Sequence, residues 1–221
     1  MERQVITTAD GSKTILIPGL NESYHSRHGA LTESRHIFID AGYRYAAAGF
    51  SKLNILEVGF GTGLNALLSL LESQKDLREV YYLGVEPFPV SREMLDHLDY
   101  PGMFEDDDVQ AFFEEIHGGG SSKKIGSHFT LDLITERLED VKLEPSFFNL
   151  VYFDAFAPAV CPELWEAGIF NMIASSMVPG AVLVTYSCKG DVKRAMKAAG
   201  FAVEKLPGPP GKREFLRAVK T

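Results

Sequence analysis

The sequence predicts an α/β domain with a mostly parallel sheet covered by helices on both faces. Apolar runs at 53–58, 79–86, 128–134, 148–154 and 181–187 alternate with segments of helical periodicity. These runs are nearly continuous in apolar residues, which is typical of parallel strands buried on both faces. The last two runs, 201–206 and 213–219, are joined by the short loop "PGPPGK", which indicates an antiparallel pair at one edge. Seven strands are therefore expected.

The N-terminal region differs in pattern from this alternation. Two β-rich runs within residues 4–17 flank Asp10-Gly11, a hairpin signal, and a helix is expected to begin near Thr32. We divide the chain into an N-terminal hairpin and substrate-side segment (1–45) and a main domain (46–221), which form a single structural unit. Residues 101–127, with "EDDD" and "GGGSSKK", are expected to be a mobile, solvated insertion without regular structure.

Composition excludes several classes of protein. The 221 residues are 45% apolar and 24% charged, which argues against disorder. No run of about 18 apolar residues is present, so no membrane partner is expected. The N-terminus lacks an apolar signal core, which predicts a cytoplasmic location. Cys161 and Cys188 match neither a disulfide framework nor a zinc site, and no bound metal is expected.

Charge is distributed unevenly along the chain. The net charge is −8, yet the segment from Lys189 to the C-terminus has nine Lys or Arg and three acidic residues, a net of +6. A basic end on an acidic body is a pattern of nucleic-acid binding, although a solvated helix face balanced by neighbouring acids is an equally weighted alternative.

Three alternating glycines in "LEVGFGTGLN" (56–65) follow an apolar run and precede a helical pattern. A dinucleotide fingerprint requires G-x-G-x-x-G, but Leu64 stands where its third glycine is expected. The Gly-Lys-Ser/Thr of a P-loop is absent too. The loop therefore does not strongly indicate a phosphate ligand.

S-adenosylmethionine fits this loop better. Glu57, immediately before the loop, can reach its ammonium group through water, and Glu86 can accept both ribose hydroxyls. Glu136 can take the adenine amino group, or it is simply a helix N-terminal acid. Acids at successive strand ends are the pattern of a Rossmann-like class I methyltransferase. The candidate cofactor-binding residues are Glu57, Gly59, Phe60, Gly61, Thr62, Gly63, Glu86, Pro87, Phe88, Glu136, Asp154 and Phe156.

The candidate catalytic residue is Asp154, at the end of the fourth strand and before the apolar loop "AFAPAV". Methylation of an amine requires alignment, a dry site and an unprotonated nitrogen. Asp154 can hold the amine N–H or accept its proton, and Phe156 can pack against the sulfonium or the acceptor. A structural strand-end acid is the alternative for Asp154.

Several motifs together resemble a known family. "ESRHIFI" after a "YHS" segment, "EVGFGTGLN", "VEPFP", "FDAFAPAVCPELW" and "GKRE" are similar to the methyltransferases that complete 5-methylaminomethyl-2-thiouridine at the wobble position of tRNA. The resemblance spans about residues 24–214. It implies a tRNA anticodon loop as partner, and Asp154 as the residue closest to the reacting amine.

The same resemblance implies a substrate and its source. Family members fused to a flavin-dependent oxidase domain first remove a carboxymethyl group. This chain resembles the stand-alone form, so its expected substrate is the preformed aminomethyl uridine, with a functional link to the enzymes that install that group. The candidate substrate-binding residues are Tyr24, Ser26, Glu33, Arg35, Phe156, Pro158, Lys212 and Arg213.

Four other interpretations remain open at this point. The chain could methylate a small-molecule amine or another RNA, transfer an aminopropyl group as polyamine synthases do, or serve as a non-catalytic binding module. A cytosine-C5 methyltransferase is the fourth, but Cys161 lies seven residues beyond Asp154, which does not favour it as the required nucleophile.

Overall fold

The computed structural model describes residues 2–221, whose strands form two sheets. A small antiparallel sheet contains β1 (Gln4–Thr7), β2 (Lys13–Ile17) and β3 (Glu22–Ser23). The main sheet contains eight strands: β4 (Leu53–Val58), β5 (Val80–Val85), β6 (Ser122–Ile125), β7 (Phe129–Ile134), β8 (Phe148–Phe153), β9 (Met177–Thr185), β10 (Phe201–Pro207) and β11 (Glu214–Lys220). The α-helices are α1 (Ala30–Ser34), α2 (Tyr45–Ala47), α3 (Leu64–Asp76), α4 (Arg92–Leu98), α5 (Asp108–His117), α6 (Ala167–Ser176) and α7 (Gly190–Ala198).

The main sheet confirms the predicted fold class. Its order is β10-β11-β9-β8-β4-β5-β7-β6, and the five inner strands from β9 to β7 are parallel to one another. The last two strands pair antiparallel, with β11 next to β9, as the short "PGPPGK" connection predicts. All seven predicted strands are present, and β6 adds an eighth at the opposite edge.

Two apolar cores lie on opposite faces of this sheet, because successive side chains of a strand point to opposite faces. Ile55 and Tyr82 point toward the core built with α3 and α5, whereas Leu56 and Leu83 point toward the core built with α6 and α7. Burial on both faces explains why the strands are nearly continuous apolar runs.

The N-terminal hairpin holds the start of the first helical segment. Asp10, in the predicted turn, accepts hydrogen bonds from the N–H and hydroxyl of Thr32 at 2.9 and 2.8 Å. Burial raises the pKa of Asp10, but hydrogen bonds from Ser12, Thr32 and Thr8 outweigh burial and hold it below the ordinary value. The turn thus fixes the position of α1.

The helical segment that starts at α1 continues as a π-helix over Arg35–Arg44 and ends in α2. It packs on the main sheet, where the rings of Phe38 and Tyr152 are 5.3 Å apart, and Tyr43 donates a hydrogen bond to Asp76 of α3. The last helix of this segment, α2, spans the predicted boundary between the N-terminal segment (1–45) and the main domain (46–221). That division of the chain stays a prediction.

The prediction that residues 101–127 are a mobile, solvated insertion is wrong. They contain a short 3₁₀-helix (Pro101–Met103), α5 and β6, and β6 pairs antiparallel with β7. Val109, Phe113 and Ile116 follow helical spacing and are buried in the core. The flanking acids and the Gly/Ser run are exposed. They make the segment polar on average, and this average hides the narrow apolar face of the helix.

We expect Phe113→Ala to destabilise the protein by roughly 3–5 kcal/mol, because it leaves a cavity between Tyr100 and His117 in the core. Thermal or urea unfolding measures this loss. The matched control is Glu115→Ala, an exposed position on the same helix, which should change stability by less than about 0.5 kcal/mol. Equal, small effects of both variants would mean that α5 contributes nothing to the core.

Within residues 2–221, no helix is both long and apolar enough to cross a membrane.

Candidate functional site

The glycine loop joins β4 to α3 and forms one wall of a large cavity. Gly59 and Gly61 have φ angles of +86° and +54°, a region that favours glycine. A Cβ atom on Gly59 would lie 2.6 Å from the carbonyl oxygen of Asp154, and one on Gly61 would lie 3.1 Å from the Tyr24 ring. Glycine is required at both positions, because the Asp154 backbone and the Tyr24 ring occupy the space that a side chain would need.

Glu86 directly follows β5 and lies beside this loop. Its carboxylate accepts the N–H of Gly61 at 3.0 Å and the N–H of Phe88 at 2.9 Å. These two bonds fix the carboxylate at the cavity wall. A carboxylate has about four acceptor positions, so it can still accept hydroxyl groups of a ligand.

A buried network lies behind the loop. Glu57, which is 0% exposed, accepts hydrogen bonds from the Tyr82 hydroxyl at 2.7 Å and from Nδ2 of Asn65 at 2.8 Å. Burial raises the pKa of Glu57 to about 8, although these two hydrogen bonds oppose the change. Nδ2 of Asn65 also donates to Asp154 at 2.9 Å, so one amide connects the two acids.

Asp154 follows β8 and is held against the neighbouring strand. Its N–H donates to the Val58 carbonyl at 2.9 Å. Burial raises the pKa of its carboxyl well above the ordinary value, and the charges of Glu33 and Glu57 raise it further, while Lys212 and Asn65 oppose them. A carboxylate in this environment is a stronger proton acceptor than one in water.

A mostly buried ion pair lines the same cavity. We call the part of the cavity lined by Tyr24, Ser26, Glu33 and Lys212 the acceptor side, after the predicted role of these residues. Nζ of Lys212 contacts Oε1 of Glu33, and the other oxygen of Glu33 accepts the Ser26 N–H at 2.7 Å. Nζ of Lys212 also lies 4.0 Å from the centre of the Tyr186 ring. The Tyr186 hydroxyl donates to the Ala155 carbonyl at 2.8 Å, which connects this pair to the loop after Asp154.

Aromatic rings form another part of the cavity wall. Tyr24 and Phe156 pack edge to face with centroids 5.2 Å apart, and the Arg3 guanidinium lies 5.6 Å from the Tyr24 ring centre. Trp165 donates a hydrogen bond to the Phe156 carbonyl at 2.9 Å, which holds the Asp154–Phe156 loop. These rings suit a cation or a flat base.

The cavity has a volume of about 1360 Å³, larger than the roughly 300–1,000 Å³ of a typical small-molecule site. It therefore has space for two ligands at once. Acidic side chains outnumber basic ones among its described lining residues. The acids are Glu22, Glu33, Glu86, Glu93, Glu139, Asp154 and Glu163, and the cations are Arg3, Arg137 and Lys212. This excess of acids favours positively charged ligands.

Most of the candidate residues from the sequence line this cavity. They are Gly59, Phe60, Gly61, Thr62, Glu86, Pro87, Phe88, Asp154 and Phe156 on the cofactor side, and Tyr24, Ser26, Glu33 and Lys212 on the acceptor side. Residues as far apart as Ser26 and Lys212 therefore share one site.

Six candidates lie elsewhere. Glu57 is behind Asn65, and Gly63 packs against His117 beneath the loop. Glu136 is exposed, whereas Arg137, Leu138 and Glu139 of the same turn reach the cavity. The Arg35 guanidinium lies over the Phe104 ring, 5.6 Å from its centre. Pro158 and Arg213 are not among the residues that line the cavity.

Sequence reasoning missed Asn65 and Tyr186. Asn65 has a sequence signal, since it lies in the first turn of the helix directly behind the glycine loop. Tyr186 has none, because only the tertiary structure brings the residue after β9 next to Lys212. Among residues 2–221, no group of three His, Cys, Asp or Glu side chains is arranged to hold a metal ion.

The basic C-terminal segment is partly neutralised by ion pairs. Arg194 pairs with Asp191, Lys205 with Glu214, and Arg217 with Glu204. In the described part of the chain, Lys189, Lys193, Lys197 and Arg213 form no ion pair. Among the residues that the structure describes, Lys220 forms no ion pair either, but it donates to the Met177 carbonyl at 2.6 Å, which leaves the first four side chains as the ones without a partner of either kind.

A protein-family model described as S-adenosyl-L-methionine-dependent methyltransferase matches residues 104–221, more than half of the chain. The chain belongs to this methyltransferase family. S-adenosylmethionine is therefore its cofactor, as the glycine loop and strand-end acids predict.

Curated relatives of this methyltransferase carry a more specific name. The tRNA 5-methylaminomethyl-2-thiouridine biosynthesis bifunctional protein MnmC of Cupriavidus metallidurans is 30% identical over 212 residues, which cover 90% of this chain and 31% of that protein. The MnmC protein of Aromatoleum aromaticum is 33% identical over 211 residues, which cover 88% of this chain and 32% of that protein. The chain thus spans about a third of the length of these relatives, and the similarity indicated by its motifs is confirmed.

Solved structures share the fold of this methyltransferase. The crystal structure of MnmC2 from Aquifex aeolicus has a TM-score of 0.75 at 24% identity and covers 98% of this chain and 70% of its own. A spermidine synthase from Thermotoga maritima has a TM-score of 0.58 at 10% identity and covers 99% of this chain and 68% of its own. At these identities, the two structures establish the fold alone.

We expect Glu57→Gln to make the methyltransferase more stable than the parent as pH rises. A carboxyl whose pKa rises from 4.5 to about 8 on folding stabilises the protein fully below pH 4.5, and this contribution disappears as pH rises toward 8. A glutamine keeps partners for Tyr82 and Asn65 but cannot ionise. Unfolding at about pH 5 and pH 8 should show a relative gain of roughly 2–4 kcal/mol at the higher pH.

The matched control for this measurement is Glu79→Gln, because the Glu79 side chain is 69% exposed. This control should shift the free energy of unfolding by the same small amount at both pH values. A Glu57→Gln variant that behaved like this control would contradict the assigned burial of an ionisable group behind the glycine loop.

Proposed function

We propose that the chain transfers a methyl group from S-adenosylmethionine to the aminomethyl group of the modified wobble uridine of tRNA, giving 5-methylaminomethyl-(2-thio)uridine. The names of the MnmC relatives support this substrate, together with the motifs that the chain shares with that family. The observation that carries the proposal is the position of Asp154. Its carboxylate lies on the cavity wall next to the glycine loop, in a setting that strengthens it as a proton acceptor.

The residues of the cavity fit the cofactor. Gly59 and Gly61, which line the cavity, would lie against its methionyl and ribose parts, and the Glu86 carboxylate would accept the ribose hydroxyls. Phe88, at the same wall, would pack against the adenine. When bound, the cofactor supplies an electrophilic methyl group on a sulfonium centre.

Asp154 would then control the protonation of the acceptor. An alkyl amine is largely an ammonium ion near neutral pH, and an ammonium nitrogen has no lone pair with which to attack. Asp154 would accept one proton from this nitrogen, and its other carboxyl oxygen would accept a remaining N–H, which orients the freed lone pair. Burial assists twice, because it strengthens the carboxylate as a base and disfavours the ammonium ion.

The rest of the cavity would hold the uracil base of the modified uridine. RNA-modifying enzymes read bases that are splayed out of single-stranded loops and stacked on aromatic side chains. Tyr24 and Phe156 would provide such a surface beside Asp154. The half-buried Lys193 and the exposed Lys197 of α7 would contact backbone phosphates of the anticodon loop.

This function implies a place in the cell and a supply of substrate. The partner would be tRNA in the cytoplasm. The chain would act after the enzymes that install the aminomethyl group, since its acceptor must already carry a free amine.

We expect Asp154→Asn to bind S-adenosylmethionine with unchanged affinity but to lose on the order of 10²-fold in methyl transfer. The asparagine still accepts from Asn65 but takes no proton. Radiolabelled methyl transfer to tRNA that lacks the terminal methyl, followed by nucleoside analysis, measures both the rate and the product. The parent rate should rise with pH, as the acceptor amine and Asp154 lose their protons.

The control for Asp154→Asn is Glu144→Gln, an exposed acid before β8 that does not line the cavity, and it should keep the parent rate. Near-parent turnover by Asp154→Asn would make Asp154 a structural acid. Label found on a different nucleoside, or only on small amines, would replace the proposed substrate.

For the basic helix α7, we expect Lys193→Ala, Arg194→Ala and Lys197→Ala together to weaken tRNA binding. The salt dependence should flatten by about 0.7–0.9 in logarithmic slope for each phosphate that the variant no longer binds. Binding at several salt concentrations measures this slope. The control is the triple variant Lys52→Ala, Lys75→Ala and Lys142→Ala, which removes the same charge away from the cavity. Identical slopes for both triple variants would mean that α7 is only a solvated face.

A further inference from the structure

Two elements far apart in the chain meet at the acceptor side of the cavity. Lys212 lies in the loop between β10 and β11, and Glu33 lies in α1 near the N-terminus. Their ion pair is accompanied by a hydrogen bond between Nε2 of His36 and the Pro207 carbonyl at 2.8 Å. The side chain of Glu33 is 8% exposed and that of Lys212 is 27% exposed, so this pair is mostly removed from water.

The pair lines the same cavity as the proposed proton acceptor, Asp154, and Lys212 contacts the Tyr186 ring, whose hydroxyl donates to the carbonyl of the next residue, Ala155. The charged groups that act on Asp154 are Glu33 from α1, Glu57 from β4 and Lys212 from the β10–β11 loop, with Asn65 of α3 as its hydrogen-bond donor. Tyr186 faces both Lys212 and Asp154. His25, which also senses the charge of Glu33, has a pKa lowered by its own burial to about 4, so it stays neutral. Lys212 is therefore the one cation among these groups, and its direct contact is with Glu33.

We propose that Lys212 is a positioning residue: by neutralising Glu33, it leaves Asp154 as the carboxylate that is free to take the proton of the acceptor amine. This inference rests on the proposed methyl transfer and assigns Lys212 a task other than contact with RNA. Without Lys212, Glu33 and Asp154 line one cavity with no cation paired to Glu33, and the negative charge of Glu33 disfavours ionisation of Asp154. One proton is then retained by Asp154, which no longer accepts the proton of the amine near neutral pH.

Removal of both charges tests this directly. Lys212→Met moves the acidic limb of the pH–rate profile upward by roughly one unit, which costs on the order of tenfold in methyl transfer near neutral pH. The double variant Glu33→Gln/Lys212→Met returns the limb toward its parent position, because no second charge remains to be balanced. Lys212→Arg keeps the charge and stays close to the parent profile.

The same variants are followed without any substrate by carboxyl ¹³C NMR titration of Asp154 and Glu33. Lys212→Met raises the titration midpoint of Asp154, and the double variant lowers that midpoint again. The matched control is Lys205→Met, which removes a lysine from the same hairpin but from a surface pair with Glu214 at 2.6 Å. It leaves both the pH profile and the titration of Asp154 unchanged.

Two results overturn the inference. One is a Lys212→Met variant that is slower at every pH with an unmoved acidic limb and no rescue by Glu33→Gln, which identifies Lys212 as a contact for RNA. The other is an unchanged NMR titration of Asp154. If the parent transfers no methyl group to tRNA, the proposed function fails, and the NMR titration still decides whether Lys212 controls Asp154.

Discussion

The site depends on the parallel pairing of β4 with the strands on either side of it. Val58 is in register with Val85 of β5 and with Phe153 of β8. The residues that follow these three positions are Gly59, Glu86 and Asp154. The sheet therefore brings the glycine loop and two carboxylates together at the carboxyl ends of its strands. Parallel strands place all their carboxyl ends on the same side of the sheet, and this side is the usual ligand site of open α/β sheets.

The buried acids show how the fold accommodates charge where function requires it. Glu57 is satisfied by Tyr82 and Asn65, Glu33 by Lys212 and the Ser26 N–H, and Asp154 by Asn65. Each arrangement offsets part of the cost of burying a carboxylate. Among the described ion pairs Asp154 has none of its own, because Lys212 contacts Glu33, and burial keeps the pKa of Asp154 raised.

The N-terminal region and the C-terminal hairpin complete a site that the main sheet only begins. Asp10 fixes the start of α1, and α1 in turn places Glu33 against Lys212. Tyr24, between β3 and α1, covers Gly61 and packs against Phe156. The acceptor side of the cavity is therefore assembled from both ends of the chain around the cofactor loop.

The sequence by itself determined the elements whose signals are local. The apolar runs located seven strands, the glycine spacing and strand-end acids identified the cofactor, and Asp154 stood at a strand end before an apolar loop. Only the tertiary structure decided that residues 101–127 form α5 and β6, since one narrow apolar face is hidden in average polarity. It alone decided that Glu136 is exposed and that Lys212 faces Glu33 and Tyr186 instead of solvent. Local patterns are set by neighbours in the chain, whereas the balance of charge around Asp154 depends on the pair Glu33 and Lys212, which lie more than a hundred positions apart.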